Sequence, residues 1–226
     1  MVNDYYLERA QAVAAEIEAA GGRAIAIAAD VSDRDSVNAM VEQARREVGG
    51  IDILVNNAGN LGADPSPDAR KPFWEHDPAV WNPTIGVNLY GVIHCCGAVI
   101  PDMMQKRSGR LITIMSDAGR TGEAGLEIYS AAKAGAAGFM RAVARSMGRY
   151  MVTANTVAIS ATLTPPIEAR LNADPDRLKK MMEKYVIRRP GRPQDVANMV
   201  LFLASGASDW ITGQTYPVNG GFAFSQ

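Results

Sequence analysis

Short, almost uniformly apolar runs alternate with amphipathic helical stretches along this chain, and that alternation narrows its possible folds more than any other feature. The runs at residues 24–29, 51–55, 110–115 and 152–159 keep apolar side chains at consecutive positions instead of every second one. A strand apolar on both faces needs cover on both, which parallel sheets obtain from the helices that connect their strands. Leu7, Ala10, Val13, Ala14 and Ile17 recur at helical spacing and stop at Gly21-Gly22. Ser32 with Asp35 resembles a capping box opening a second helix, which ends near Gly49-Gly50. A polar, proline-rich stretch over residues 59–78 precedes a long apolar helix over about 87–104. A small-residue helix follows over about 127–148, then a last helix at 193–204 and a last strand at 215–218. Residues of about 160–190, rich in proline, methionine pairs and charge, read as a mobile lid. The expectation is one α/β domain over residues 1–226, built as a Rossmann-like doubly wound parallel sheet.

Composition excludes several alternatives. A net charge of −1 and a pI of about 6.1 give no electrostatic reason for a nucleic-acid partner. No apolar run is expected to reach the ~20 residues that span a bilayer. The opening MVNDYYLERA has neither the basic nor the apolar part of a signal peptide. Cys95 and Cys96 are adjacent in an apolar helical stretch, where neighbouring side chains diverge by about 100°, so they read as buried free thiols of a reducing cytoplasm.

Tyr129 and Lys133 stand four residues apart, on one face of their helix. A tyrosine hydroxyl is a poor base near neutrality, and an ammonium one turn away favours the phenolate. Alone, such a pair is common and reads as an exposed helix face. Its neighbours change the odds. Ser116 follows a strand thirteen residues before Tyr129, Asn56-Asn57-Ala58-Gly59 follows another strand directly, and Asn88 opens the long helix. In open parallel sheets ligands bind outside the carboxyl ends of the strands, so these residues should converge on one cleft.

NNAG at 56–59, Asn88 within VNLYG, Ser116, YSAAK at 129–133 and ITGQTYPVNGG at 211–221 resemble the short-chain dehydrogenase/reductase family from about Asp4 to Gly221. The resemblance implies a seven-stranded sheet in the order 3-2-1-4-5-6-7 and transfer of a hydride between NAD(P) and a secondary alcohol or ketone. The tail and active-site helix are most similar to 3-oxoacyl-thioester reductases and hydroxyacyl-coenzyme A dehydrogenases. It implies Tyr129 as general acid and base, Lys133 as the group that lowers its pKa and binds the nicotinamide ribose, Ser116 as donor to the substrate oxygen, and Asn88 as holder of a relay water. Asp30 and Val31 would meet the adenine, Asn56, Ala58 and Gly59 would let the backbone pass close to the cofactor, and Thr162 and Thr164 would hold the carboxamide. Asp4 would take the adenosine ribose hydroxyls, which favours NAD over NADP because a carboxylate repels a 2′-phosphate. A homotetramer joined through the two long helices is implied as well.

The sequence departs from that family in two places. The first strand, the TGxxxGxG phosphate loop and its helix do not precede the segment around Asp4. The fold is therefore expected to be N-terminally truncated, from a mis-read start or an incomplete sequence, with an empty strand position beside residues 51–55 or with residues 24–29 displaced. After the strand at 152–158, Ile159-Ser160 stands where the family has Pro-Gly. A catalytically inactive binding or assembly protein stays open as the alternative. His76 and His94 have no Cys, Asp or Glu at ligand spacing, so no metal is expected, and His94 reads as a packed core or interface residue. Lys179-Lys180 and Arg188-Arg189 read as a solvated lid face.

Overall fold

Parallel pairing runs through every ladder in the computed structural model, which describes residues 1–59, 68, 71–164, 168 and 174–224. Strands β1 (Val2–Asp4) and β2 (Ala26–Ala28) form one sheet. Strands β3 (Ile53–Asn56), β4 (Gly109–Ser116), β5 (Val152–Ile159) and β6 (Thr215–Val218) form a second, in that spatial order. The helices are α1 (Leu7–Ala19), α2 (Arg34–Val48), α3 (Pro78–Ile85), α4 (Gly91–Lys106), α5 (Ala118–Thr121), α6 (Glu127–Met147), α7 (Pro175–Met182) and α8 (Pro193–Ala204).

The unbroken apolarity of the central strands has a direct cause. Leu111 of β4 packs with Val92, Val99 and Met103 of α4 and with Ala136 and Met140 of α6. Ile112 and Ile114, on the opposite pleat, pack with Leu203 and Met199 of α8. Each face is covered by a different helix layer, so neither can be polar. Met103 and Leu111 are fully buried, and truncating either to alanine would cost about 2–5 kcal/mol.

Local signals place the helix ends, with two corrections. Helix α2 is capped by Asp33, whose side chain accepts from Asp35 N at 2.9 Å, and not by a Ser32–Asp35 box. Ser32 is spent elsewhere: its hydroxyl donates to Asp30 Oδ1 at 2.6 Å. The long apolar helix begins at Pro78, with Asp77 as its cap, not near residue 87. It continues through a wide π turn, Gly86–Tyr90, into α4. Pro83 interrupts the sequence pattern but is accommodated inside α3. The continuous run Pro78–Lys106 has 29 residues and is long and apolar enough to cross a membrane by length and composition, more than the sequence alone implied. It is here the central core helix, with Val92, Cys96, Val99 and Met103 each 3% exposed or less.

Among the described residues no ladder joins the two sheets. Strand β3 pairs with β4 alone and β1 pairs with β2 alone among the described residues. Between β1 and β3 runs a groove of about 710 Å³ whose walls include Asn3, Asp4, Ala29 and the backbone from Ile51 to Asn56. Ile53 and Val55 are 46% and 38% exposed. The expected empty strand position is therefore present, and β2 is not drawn onto β3. The stretch expected as a lid, residues 160–190, is only partly described: α7 lies within it, and residues 165–167 and 169–173 are outside the described residues.

Candidate active site

Strand β3 ends at Asn56, in register with Thr113, and β4 runs on beyond it to Ser116. Asn56 is buried, and its Nδ2 donates to Thr113 Oγ1 at 3.1 Å and approaches Cys96 Sγ at 3.5 Å. Burial pushes the Cys95 thiol up to about 11 and the Cys96 thiol up to about 12, so both stay protonated at neutral pH. From Asn56 the backbone runs to Gly59, which lies against two buried polar side chains. A Cβ at Gly59 would stand 2.7 Å from Lys133 Nζ and 2.9 Å from Asn88 Oδ1.

Those side chains are set by their helices. Asn88 sits in the π turn and its Nδ2 donates to Thr84 O at 2.8 Å, which fixes the amide and leaves Oδ1 facing Gly59. Lys133 projects from α6 and its Nζ donates to Ile114 O at 3.0 Å. Gly119 of α5 makes that approach possible, because a Cβ there would lie 2.8 Å from Ala134 N and 2.9 Å from Lys133 Cβ. Tyr129 stands one turn earlier, with Lys133 Nζ 5.8 Å from its ring centroid. Ser116 ends β4; its Oγ accepts from Ala118 N at 3.2 Å, and its hydroxyl is near enough to Tyr129 to favour the phenolate.

The electrostatics differ from the simple expectation for Tyr129. Burial is the largest influence and raises its pKa, while the neighbouring Ser116 hydroxyl lowers it. Lys133 was expected to pull that pKa down, but burial acts on the lysine too and lowers it to about 8. A buried ammonium and a buried phenolate each lose hydration, so in the protein alone both groups are pushed toward neutrality.

Asp4, Asp30, Val31, Asn56, Ala58 and Gly59 all line the groove between β1 and β3. Asp4 Oδ1 accepts from Tyr6 N at 2.9 Å. Asp30 Oδ1 accepts from Ser32 N at 2.8 Å and from the Ser32 hydroxyl. Arg9 lines the same groove and lies over the Tyr6 ring at 4.4 Å. Thr162 and Thr164 are not brought to it. The Thr162 hydroxyl donates to Ser160 O at 3.2 Å, and Thr164 is exposed, its carbonyl accepting from Glu168 N at 2.8 Å. Sequence reasoning missed Gly119, Thr84 and the Ile114 carbonyl; the last two act through main-chain oxygens, which leave no mark in side-chain identity. His94 is half-buried, with Nδ1 3.1 Å from Val31 O and its ring stacked on Tyr90. His76 Nδ1 accepts from Trp81 Nε1 at 3.2 Å.

Comparison with known proteins places the chain among dehydrogenases and reductases of similar sequence and fold. The family model described as enoyl-(acyl carrier protein) reductase matches residues 1–223. A 3-oxoacyl-(acyl-carrier-protein) reductase of Staphylococcus aureus is 36% identical over 219 residues, covering 95% of this chain and 83% of the relative. A hydroxy(phenyl)methylsuccinyl-CoA dehydrogenase subunit of Thauera aromatica is 38% identical over 226 residues, covering 98% of this chain and 85% of the relative. Among solved structures, a gluconate 5-dehydrogenase of Burkholderia cenocepacia in complex with NADP and tartrate superposes with a TM-score of 0.87 at 29% identity, covering 98% of this chain and 84% of that one.

Proposed function

Because the chain belongs to the short-chain dehydrogenase/reductase family, we propose that it interconverts a 3-oxoacyl thioester and the corresponding 3-hydroxyacyl thioester at Tyr129, Ser116, Lys133 and Asn88. One observation carries the reading. Gly59, on the wall of the groove, lies against Lys133 Nζ and Asn88 Oδ1, and Lys133 in turn stands under the Tyr129 ring, with Ser116 near enough to Tyr129 to favour its phenolate. The thioester class is supported by the names of the reductase and coenzyme A dehydrogenase relatives.

The groove fits a nicotinamide dinucleotide at both of its ends. Asp4, Asp30 and Val31 would receive the adenosine half, and Gly59 has no side chain to bar a close approach beside Lys133. When bound, the nicotinamide supplies or accepts the hydride. The protein's own part is protonic and electrostatic. Tyr129 would give its hydroxyl proton to the carbonyl oxygen in reduction and recover it in oxidation. Ser116 would donate to the same oxygen while negative charge develops there. Lys133, held by Ile114 O, would supply positive charge beneath Tyr129 and bond the ribose. Asn88 would hold a water that relays protons to Lys133. The Asp4 carboxylate on the groove wall favours NAD over NADP.

Tyr129→Phe tests the assignment. It should keep the fold and the affinity for NADH while lowering turnover of a 3-oxoacyl thioester by about 10²–10⁴-fold. Near-wild-type turnover would move proton transfer to another residue. We place the protein in the cytoplasm, in keeping with two buried thiols. We also propose a homotetramer that meets through α4 and α6, where the small residues Ala131, Ala134 and Gly135 of α6 are exposed, as is Tyr90 of the π turn before α4. Light scattering that returned a monomer mass would remove the assembly.

A further inference from the structure

Asp117 follows Ser116 directly, is 2% exposed, and takes no part in the mechanism above. Both carboxylate oxygens are engaged. Arg120 Nη1 donates to Oδ1 at 2.6 Å, and Asn219 Nδ2 donates to Oδ2 at 2.7 Å. The Asp117 amide donates to Ile159 O at 2.9 Å, so side chain and main chain are held at once. A buried ion pair gains little stability over an apolar replacement of the same size. Its place beside the serine therefore calls for a reason other than stability.

The geometry supplies one. Ser116 Oγ accepts from Ala118 N, the first residue of α5, and this turns the hydroxyl hydrogen away from α5, leaving it for the side on which Tyr129 stands. The Asp117–Arg120 pair spans that same short helix, so it sets where Ala118 N points. The clamp reaches further. Arg120 Nη2 donates to Phe224 O at 2.8 Å and Asn219 Nδ2 to Ala223 O at 2.8 Å. The C-terminal turn held in this way also grips the segment that leaves α7. Ile187 N donates to Gly220 O at 2.8 Å, and the Phe222 and Tyr185 rings lie 5.2 Å apart. The Tyr185 hydroxyl in turn bonds the Ser160 hydroxyl and accepts from Ala161 N.

We propose that Asp117 is a positioning residue for Ser116, and that Asn219 couples it to the C-terminal turn and the segment leaving the lid. This rests on the reductase reading above. The test is a double-mutant cycle of Asp117→Asn and Asn219→Ala, each made alone and on a Ser116→Ala background, with kcat and the KM for NADH measured separately. Each single variant should lower kcat by about tenfold to a hundredfold, as small misplacements of reacting groups do, with KM for NADH nearly unchanged. On the Ser116→Ala background neither should cause further loss. Full additivity there would show that the pair acts elsewhere and would overturn the proposal.

A second readout needs no turnover: the midpoint of the Tyr129 phenol, followed by NMR of ring-labelled tyrosine against Tyr129→Phe. Asn219→Ala changes no charge, so its midpoint reports geometry alone. It should rise toward that of Ser116→Ala as the Ser116 hydroxyl ceases to favour the phenolate. An unmoved midpoint overturns the proposal, and Asn219→Ala decides the matter if Asp117→Asn does not fold. If the wild-type protein turned over no thioester, the reductase reading would fail, and this midpoint would still judge the positioning.

Discussion

Gly59 and Lys133 are in near-contact: a methyl group at position 59 would come within 2.7 Å of the lysine's Nζ. The two atoms in the way, Lys133 Nζ and Asn88 Oδ1 at 2.9 Å, are both side-chain ends, so the clash can be relieved without moving backbone. Gly59→Ala should therefore fold, but with Nζ displaced from Ile114 O and from the ground under Tyr129. We expect a loss of about a hundredfold in kcat/KM, with a thermal midpoint close to wild type. A variant that kept full activity would show that the lysine's placement is not limiting.

Lys133 also writes a signature into stability. The unfolded side chain holds its proton up to 10.5, whereas the folded one releases it near about 8. Between those values the unfolded chain carries more protons, so stability rises with pH across that window. Lys133→Met removes the gain. Denaturant midpoints at pH 7, 8, 9 and 10 should therefore climb for wild type relative to the variant. Tyr129 acts in the opposite direction, and only above 10.0, because burial raises its folded pKa. Parallel curves for the two proteins between pH 8 and 10 would refute the buried placement of the ammonium.

Asp4 and Arg9 line the same groove with opposite charge, and the cofactor preference depends on which of them meets the adenosine ribose. With Asp4 at the end of β1, Asp4→Ser should shift the ratio of kcat/KM for NADPH over NADH upward by about tenfold or more, through removal of like-charge repulsion. An unchanged ratio would mean that the carboxylate faces away from the ribose.

What the sequence made legible follows from physics that acts locally. The i, i+4 spacing of Tyr129 and Lys133 survives any packing, and the bounds of Pro193–Ala204 and Thr215–Val218 coincide with the elements observed. Asn56 and Ser116 were placed by the rule that strand ends gather ligands, and the sheet brings both to its carboxyl edge. Other features needed tertiary structure. The start of the long helix was hidden because Pro83 reads as a breaker, although neighbouring elements hold it in place. The Asp33 cap was hidden because Ser32 is an equally good capping residue until Asp30 takes its hydroxyl. The upward shift of Tyr129 comes from burial, which no spacing reveals. Asp4 and Gly59 line the groove; the Thr162 hydroxyl turns back onto Ser160 O.

The groove that separates β1 from β3 also bears on how the molecule opens. No main-chain ladder crosses it among the described residues, so β1, α1 and β2 join the rest through side-chain contacts such as those of Ile27, Val37 and Met40 in the core. Hydrogen-bonded backbone transmits cooperativity, and where it is interrupted a protein can unfold in pieces. The amides of residues 2–4 and 26–28 should exchange with deuterium through a partial opening that leaves Leu111, Ala154 and Val157 protected, giving two free-energy levels in native-state exchange. A single level for both sets would mean that the side-chain core alone makes the halves unfold as one. Any agent that bridges the groove, dinucleotide included, would then act as a mechanical tie between them, raising the lower level toward the upper one in proportion to its occupancy.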